Sequence, residues 1–307
     1  MAPAVTLLLV MLATFGLACS ALAALTALAV GAGLGRGWRG PNALLALRLM
    51  PAAGALLLVF GVALPAFVMF EPQNEAETVG PVVALLAAAG FSLLAGGLLR
   101  GLAAWRATRR LLRDAGARRA SQPVEILDGG PPLVAAVGAL KPRILASRSV
   151  LEACDAAEFR EVIAHERAHV AARDNLKLLL LVCCPDPLAW LALGGVLQAR
   201  WRVAAEYSAD ERAAGRDPLR RVDLASALIK VARLSHASWP RARPLELSVA
   251  ADDVEGRVRS LLAPPPPPAH SRVGRTALAA ALAVALAAIP LYAAIHEGLE
   301  ALIALGS

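Results

Sequence analysis

From Pro3 to Val30 the chain carries no charged side chain. A helix needs about 20 apolar residues to cross the hydrocarbon core of a bilayer, so this run reads as a membrane span. Leu49 to Phe70, Thr78 to Leu99 and Thr276 to Ile295 meet the same requirement. The first run lacks a basic n-region and is too long for a signal peptide. Composition agrees: 58% of residues are hydrophobic and 18% charged, against roughly 45–50% and 25% in soluble domains.

The loops give an orientation. Arg36, Arg39 and Arg48 follow the first span, whereas Glu71, Glu75 and Glu77 follow the second. After the third come Arg100, Arg106, Arg109, Arg110, Arg113, Arg118 and Arg119, and Arg272 and Arg275 precede the fourth. The positive-inside rule then puts the N-terminus outside, residues 100–275 in the cytoplasm and the short tail outside. The expected location is the cell (inner or plasma) membrane, in a multi-pass arrangement. The formal charge of +7 is explained by arginine anchors facing the lipid bilayer. No direct nucleic acid binding is expected, because no interleaved aromatic residues or reading motif accompany the arginines. Cys19, Cys154, Cys183 and Cys184 form no CxxC pair, which argues against a disulfide framework and a cysteine-built metal site. The adjacent Cys183 and Cys184 read as small apolar filling.

The expected divisions are three spans in 1–100, a cytoplasmic domain in 101–263, a proline-rich linker in 264–275, and the fourth span and tail in 276–307. Within the domain, Val124–Leu127, Leu133–Val137 and Arg143–Ala146 read as short strands. Asp155 with Glu158 forms a capping-box signal opening a helix that runs to about Arg173. Arg200 to Ala214 reads as another helix, closed by Gly215. The apolar stretch Leu178–Gln198 is broken by Pro185-Asp186-Pro187, which predicts two short helices rather than one crossing.

The chemistry concentrates in "VIAHERAHVAARDN", residues 162–175. His165 and His169 lie one helical turn apart and share a face. Two neutral imidazoles so placed can bind one zinc ion, with Glu166 beside it as a base. Catalytic zinc needs a third protein ligand, and "EYSAD" supplies Glu206, with Asp210 one turn later to hold the far nitrogen of a ligating histidine. An HExxH string also arises by chance, and a charged helix face is usually only solvated. The apolar side given by Val162, Ile163 and Val170, the capping signal and the ExxxD pair favour a site. Ala172 and Asn175 stand where the metzincin pattern needs Gly and His, which removes that class. His236, His270 and His296 are expected to take no part. The strand near Arg143–Ala146 is a candidate for binding an extended substrate along its edge.

Three stretches, "KPRILASRSVLEACDAAEFREVIAHERAHVAARDN", "RWRVAAEYSADERAA" and "EGRVRSLLAPPPPP", resemble the membrane zinc metallopeptidases of the BlaR/MecR type, peptidase family M56. The resemblance covers residues 124–300, and the three leading spans match the family layout. It implies an α-helical polytopic membrane protein with a cytoplasmic α+β zincin-like (gluzincin) metallopeptidase domain. His165, His169 and Glu206 would be the Zn2+ ligands and Glu166 the catalytic base. The implied substrate is a cytoplasmic protein, a transcriptional repressor of the BlaI winged-helix type, cleaved in a signalling pathway. The antibiotic sensors carry an extracellular penicillin-binding domain after the fourth span. No SxxK motif with its partners stands in an exported segment here, so that sensor domain is expected to be lacking. Two alternatives remain: an HtpX-like quality-control protease, and a non-catalytic membrane transducer.

Overall fold

The computed structural model describes residues 3–33, 40–70, 79–114, 124–129, 131–187, 189, 193–238 and 253–264. The expected fourth span and the proline-rich linker beyond Pro264 lie outside them. Helix α1 covers Pro3–Gly31 and α2 covers Pro41–Leu58. A π-helical turn at Val59–Ala63 leads into α3, Leu64–Phe70. Pro65 lacks the N–H that would continue the α-helical ladder there, a common setting for such a distortion. Helix α4 runs from Pro81 to Asp114. Among the described residues, three helices, over Ala4–Gly31, Pro41–Val68 and Pro81–Arg113, are long and apolar enough to cross a membrane.

Helix α4 does not stop at residue 100, where a span would end. Its 34 residues make a rod of about 51 Å at 1.5 Å per residue. Leu, Ala and Arg are all good helix formers, so nothing breaks the helix before Asp114. The expected division at residue 100 therefore lies within one continuous helix.

The remaining elements are β1 (Val124–Leu127), β2 (Val134–Val137), β3 (Arg143–Ser147), α5 (Arg148–Ala153), α6 (Ala156–Ala172), α7 (Asp174–Cys183), α8 (Leu193–Ala214), α9 (Pro218–Ser238) and α10 (Val254–Leu262). The sheet order is β1-β3-β2, with β1 parallel and β2 antiparallel to β3. The candidate substrate strand at Arg143–Ala146 is thus corrected: both edges of β3 are already paired. The edge strand nearer α6 is β2. Pairing through Ser147 N–H to Leu133 C=O turns the alternate residue Ala136 outward, and antiparallel ladders alternate in this way.

Helix α6 opens as expected. Asp155 Oδ1 accepts from the N–H groups of Ala157 and Glu158, and the Glu158 carboxylate accepts from Asp155 N–H at 2.8 Å. Its buried face carries Val162, Ile163, His165, Ala168 and His169. Ile163 packs with Ala136 and Ile144 under the sheet. The stretch 178–198 does divide at its prolines, into the end of α7 and the start of α8. Leu44 of α2 packs with Leu178 and Leu181 of α7 and with Trp201 and Ala205 of α8. One apolar cluster therefore joins a candidate span to the two helices that flank the site.

Candidate metal centre

The i, i+4 spacing on α6 aims both imidazoles at α8. His165 Nε2 and His169 Nε2 are 3.1 Å apart. Glu206 of α8 reaches both, with Oε2 3.4 Å from His165 Nε2 and Oε1 3.4 Å from His169 Nε2. All three residues are buried. Ligand atoms about 2.0–2.1 Å from a shared tetrahedral zinc ion stand about 3.3–3.4 Å from one another. The observed triangle of 3.1, 3.4 and 3.4 Å fits that requirement, so these residues suit a zinc ion by chemistry and by spacing.

The far nitrogens are also held. Asp174, the first residue of α7, places Oδ2 2.9 Å from His169 Nδ1 in a hydrogen bond. Asp210 Oδ1 lies 2.9 Å from His165 Nδ1, but the approach misses the N–H axis, and Nδ1 has no aligned acceptor. It is therefore an ion contact rather than a hydrogen bond. A carboxylate behind a ligating imidazole fixes ring orientation and raises ligand basicity.

Arg257 of α10, like Asp174, is a residue that the sequence did not reveal as part of this site. It is 2% exposed. Its Nη1 lies 2.8 Å from Glu206 Oε2, and Nε and Nη2 donate to the two oxygens of Asp210 at 2.8 and 2.7 Å. A signal existed: Arg257 and Leu261 stand one turn apart on the buried face of a short amphipathic helix. A cation at a core position is rarely buried without a partner.

Titration follows the same geometry. Burial opposes charge on His169, but Asp174 and Glu206 outweigh it and push the ring up to about 10. His165 is also raised, because Asp210 and Glu206 overcome its burial. Burial works against the Glu206 carboxylate too, yet the two histidines and Arg257 hold it well below its ordinary range. Asp210 is lowered by Arg257 and His165 against its burial. Glu166 differs, for burial dominates and pushes its carboxyl up. The cluster thus favours positive charge between its carboxylates, while Glu166 is the group there with a raised carboxyl.

Glu166 is anchored by backbone. Its Oε2 accepts from Ala136 N–H of β2 at 2.7 Å. Ala136 C=O in turn accepts from Asn175 Nδ2 at 2.7 Å, and the same amide reaches Gly138 C=O at 3.1 Å. Ser208 and Tyr207, given no role from the sequence, lie on other faces of α8, and Ser208 Oγ accepts from Arg212. The side chains of His236, His270 and His296 fall outside the described residues.

A family model described as BlaR1 peptidase M56 matches residues 72–261. The chain belongs to this family. No curated protein and no solved structure matches it. The matched region takes in α4, the sheet, both metal-facing helices and Arg257, so every side chain of the centre described above lies inside it.

Proposed function

We propose that this M56 peptidase is a membrane-embedded zinc metalloendopeptidase with its site on the cytoplasmic side, cutting a cytoplasmic protein, a winged-helix transcriptional repressor, in a signalling pathway. The observation that carries the chemistry is the buried triangle of His165, His169 and Glu206, with Glu166 one residue beyond the first histidine. The arginine bias of the loops supports the orientation, and family membership supports the peptidase class.

His165 Nε2, His169 Nε2 and a Glu206 oxygen would hold the ion. Zinc in such a setting lowers the pKa of a bound water to about 7 and polarises the scissile carbonyl. Glu166 is the group that takes the water proton and later returns it to the leaving amine. Ala136 N–H fixes one Glu166 oxygen, and the other would be the one to take the water proton. Asp174 and Asp210 keep the rings aimed, and Arg257 orients Glu206 while balancing the surplus of negative charge.

The test uses the full chain purified in detergent. Wild type should carry stoichiometric zinc by mass spectrometry, and His169→Ala should not. With a co-expressed winged-helix repressor, wild type should cut it and Glu166→Ala should leave it intact while retaining metal. Wild type without metal under non-chelating conditions sinks the zinc assignment. A Glu166→Ala variant that signals normally replaces the enzyme with a non-catalytic transducer.

A further inference from the structure

Two arginines on apolar helices have no part in the chemistry above. Arg48 lies in the candidate span Pro41–Val68 and Arg100 in Pro81–Arg113. Arg48 is 7% exposed. An ionisable group in a membrane helix is costly and usually functional, so the contacts of both residues are informative.

Both end on the same object, the C-terminus of α7. The last carbonyls of a helix lack partners within it, and cations are favoured there. Arg100 Nε donates to Val182 C=O at 3.2 Å and Nη2 to Cys184 C=O at 3.0 Å. Arg48 Nη1 donates to Pro185 C=O at 3.3 Å and to Cys184 Sγ at 3.2 Å, and Nη2 pairs with Asp186 at 3.4 Å. The backbone of α4 comes close enough that a Cβ on Gly97 would overlap the Cys183 carbonyl, and one on Gly101 would overlap Cys183 Sγ. The α7 tip therefore seats in a notch that only glycine leaves open.

The other end of α7 is the metal centre. Asp174, fully buried, holds His169 Nδ1. Asn175 holds the outer face of β2 at Ala136, and Ala136 N–H holds Glu166. Arg173 caps both α6 and α7 in the left-handed conformation, at φ 55°. The corner between α6 and α7 is one residue long and has no slack. Ten residues of helix span about 15 Å, so one rigid element connects the two sets of contacts.

We propose that Arg48 and Arg100 are positioning residues for the metal centre: by seating the far end of α7 among the spans, they set His169 through Asp174 and Glu166 through Asn175 and β2. The inference rests on the metallopeptidase reading and adds to it that the registry of two membrane helices controls the site.

The test is Co(II) titration of the full chain in detergent, read as affinity and as the visible d–d absorption band, which reports ligand geometry. The variants are Arg48→Gln, Arg100→Gln, Arg100→Lys and Gly97→Ala, with the exposed Arg106→Gln as control. Wild type and the control should bind alike. Arg48→Gln, Arg100→Gln and Gly97→Ala should bind about tenfold more weakly, the low end of what loss of a partner directly behind a ligand costs, with a displaced band. Arg100→Lys should recover part of the loss. Gly97→Ala keeps every charge, so it and Arg100→Gln decide the matter if Arg48→Gln fails to fold. Folded Arg100→Gln and Gly97→Ala with wild-type affinity and spectrum overturn the inference alone. A wild type that binds no Co(II) overturns the metallopeptidase reading and this inference with it.

Discussion

Arg257 Nη1 stands 2.8 Å from Glu206 Oε2, so the carboxylate that faces both histidines is also held by a guanidinium from the last described helix. Arg257 simultaneously clamps Asp210 through two donors, and all three side chains are buried. The site is thus closed from three helices, α6, α8 and α10, and α10 contributes a charge rather than only a lid.

Removing one partner of a buried, hydrogen-bonded ion pair costs about 3–5 kcal/mol, because the other charge stays buried alone. Arg257→Met and Asp210→Leu should each destabilise the chain by an amount in that range. The double variant should be less damaged than the sum of the two, by about 1–3 kcal/mol. Denaturant or thermal unfolding of the four proteins in detergent measures the coupling. Strict additivity would show that the contact carries no energy of its own.

A second charged cluster predicts how stability depends on pH. Glu158 accepts from Ser226 Oγ and Lys230 Nζ at 2.6 Å each, and from Asp155 N–H at 2.8 Å. Burial pushes its carboxyl up, but these donors overcome it and hold it below the ordinary value. A depressed folded-state pKa means that Glu158 contributes its full stability above the unfolded carboxylate pKa of about 4.3. The contribution is lost as pH falls through the lower folded-state pKa. Glu158→Gln should therefore lower Tm at pH 7 by about 2–6 °C and flatten the fall in Tm below about pH 4.3. A parallel fall in variant and wild type would remove Glu158 from the acid response.

The parts of the centre that the sequence revealed are those encoded over short range. His165, Glu166 and His169 lie within one turn and a residue, and the Asp155–Glu158 cap sets where that turn begins. Glu206 and Asp210 repeat the i, i+4 spacing on a second helix, so their shared face was readable even though their distance from α6 was not. The paired edges of β3 were not readable, because chain order does not give sheet order: β3 comes last of the three strands and lies in the middle. Asp174 stands five residues after His169. It returns to the ring only because Arg173 takes a left-handed turn, a conformation that arginine rarely adopts. Arg257 required knowing that α10 folds back onto α8 and α9. Arg221 makes that fold-back visible, since it donates to the carbonyls of Gly215, Ser260 and Leu261.

Asp174 should act on binding of the proposed metal. Asp174→Asn keeps the shape but removes the charge behind His169, and partners of this kind are worth about 10–100-fold in metal affinity. Competition with a chromophoric chelator should show a loss in that range. Unchanged affinity would reduce Asp174 to a cap of α7.

Its neighbour Asn175 should act on the proposed base, Glu166, instead. The Asn175 amide holds Ala136 and Gly138 of the strand segment whose N–H anchors Glu166. Asn175→Ala frees that edge, and a base displaced by about 1 Å can cost up to about 100-fold in rate. The expected result is a kcat for cleavage of the proposed repressor substrate reduced by about tenfold or more, with affinity for added zinc at the wild-type value. Adjacent residues on one helix would then separate two readouts, affinity at Asp174 and turnover at Asn175. If Asn175→Ala instead loses metal and activity together, the strand does not position the base, and the first turn of α7 acts only through the histidine.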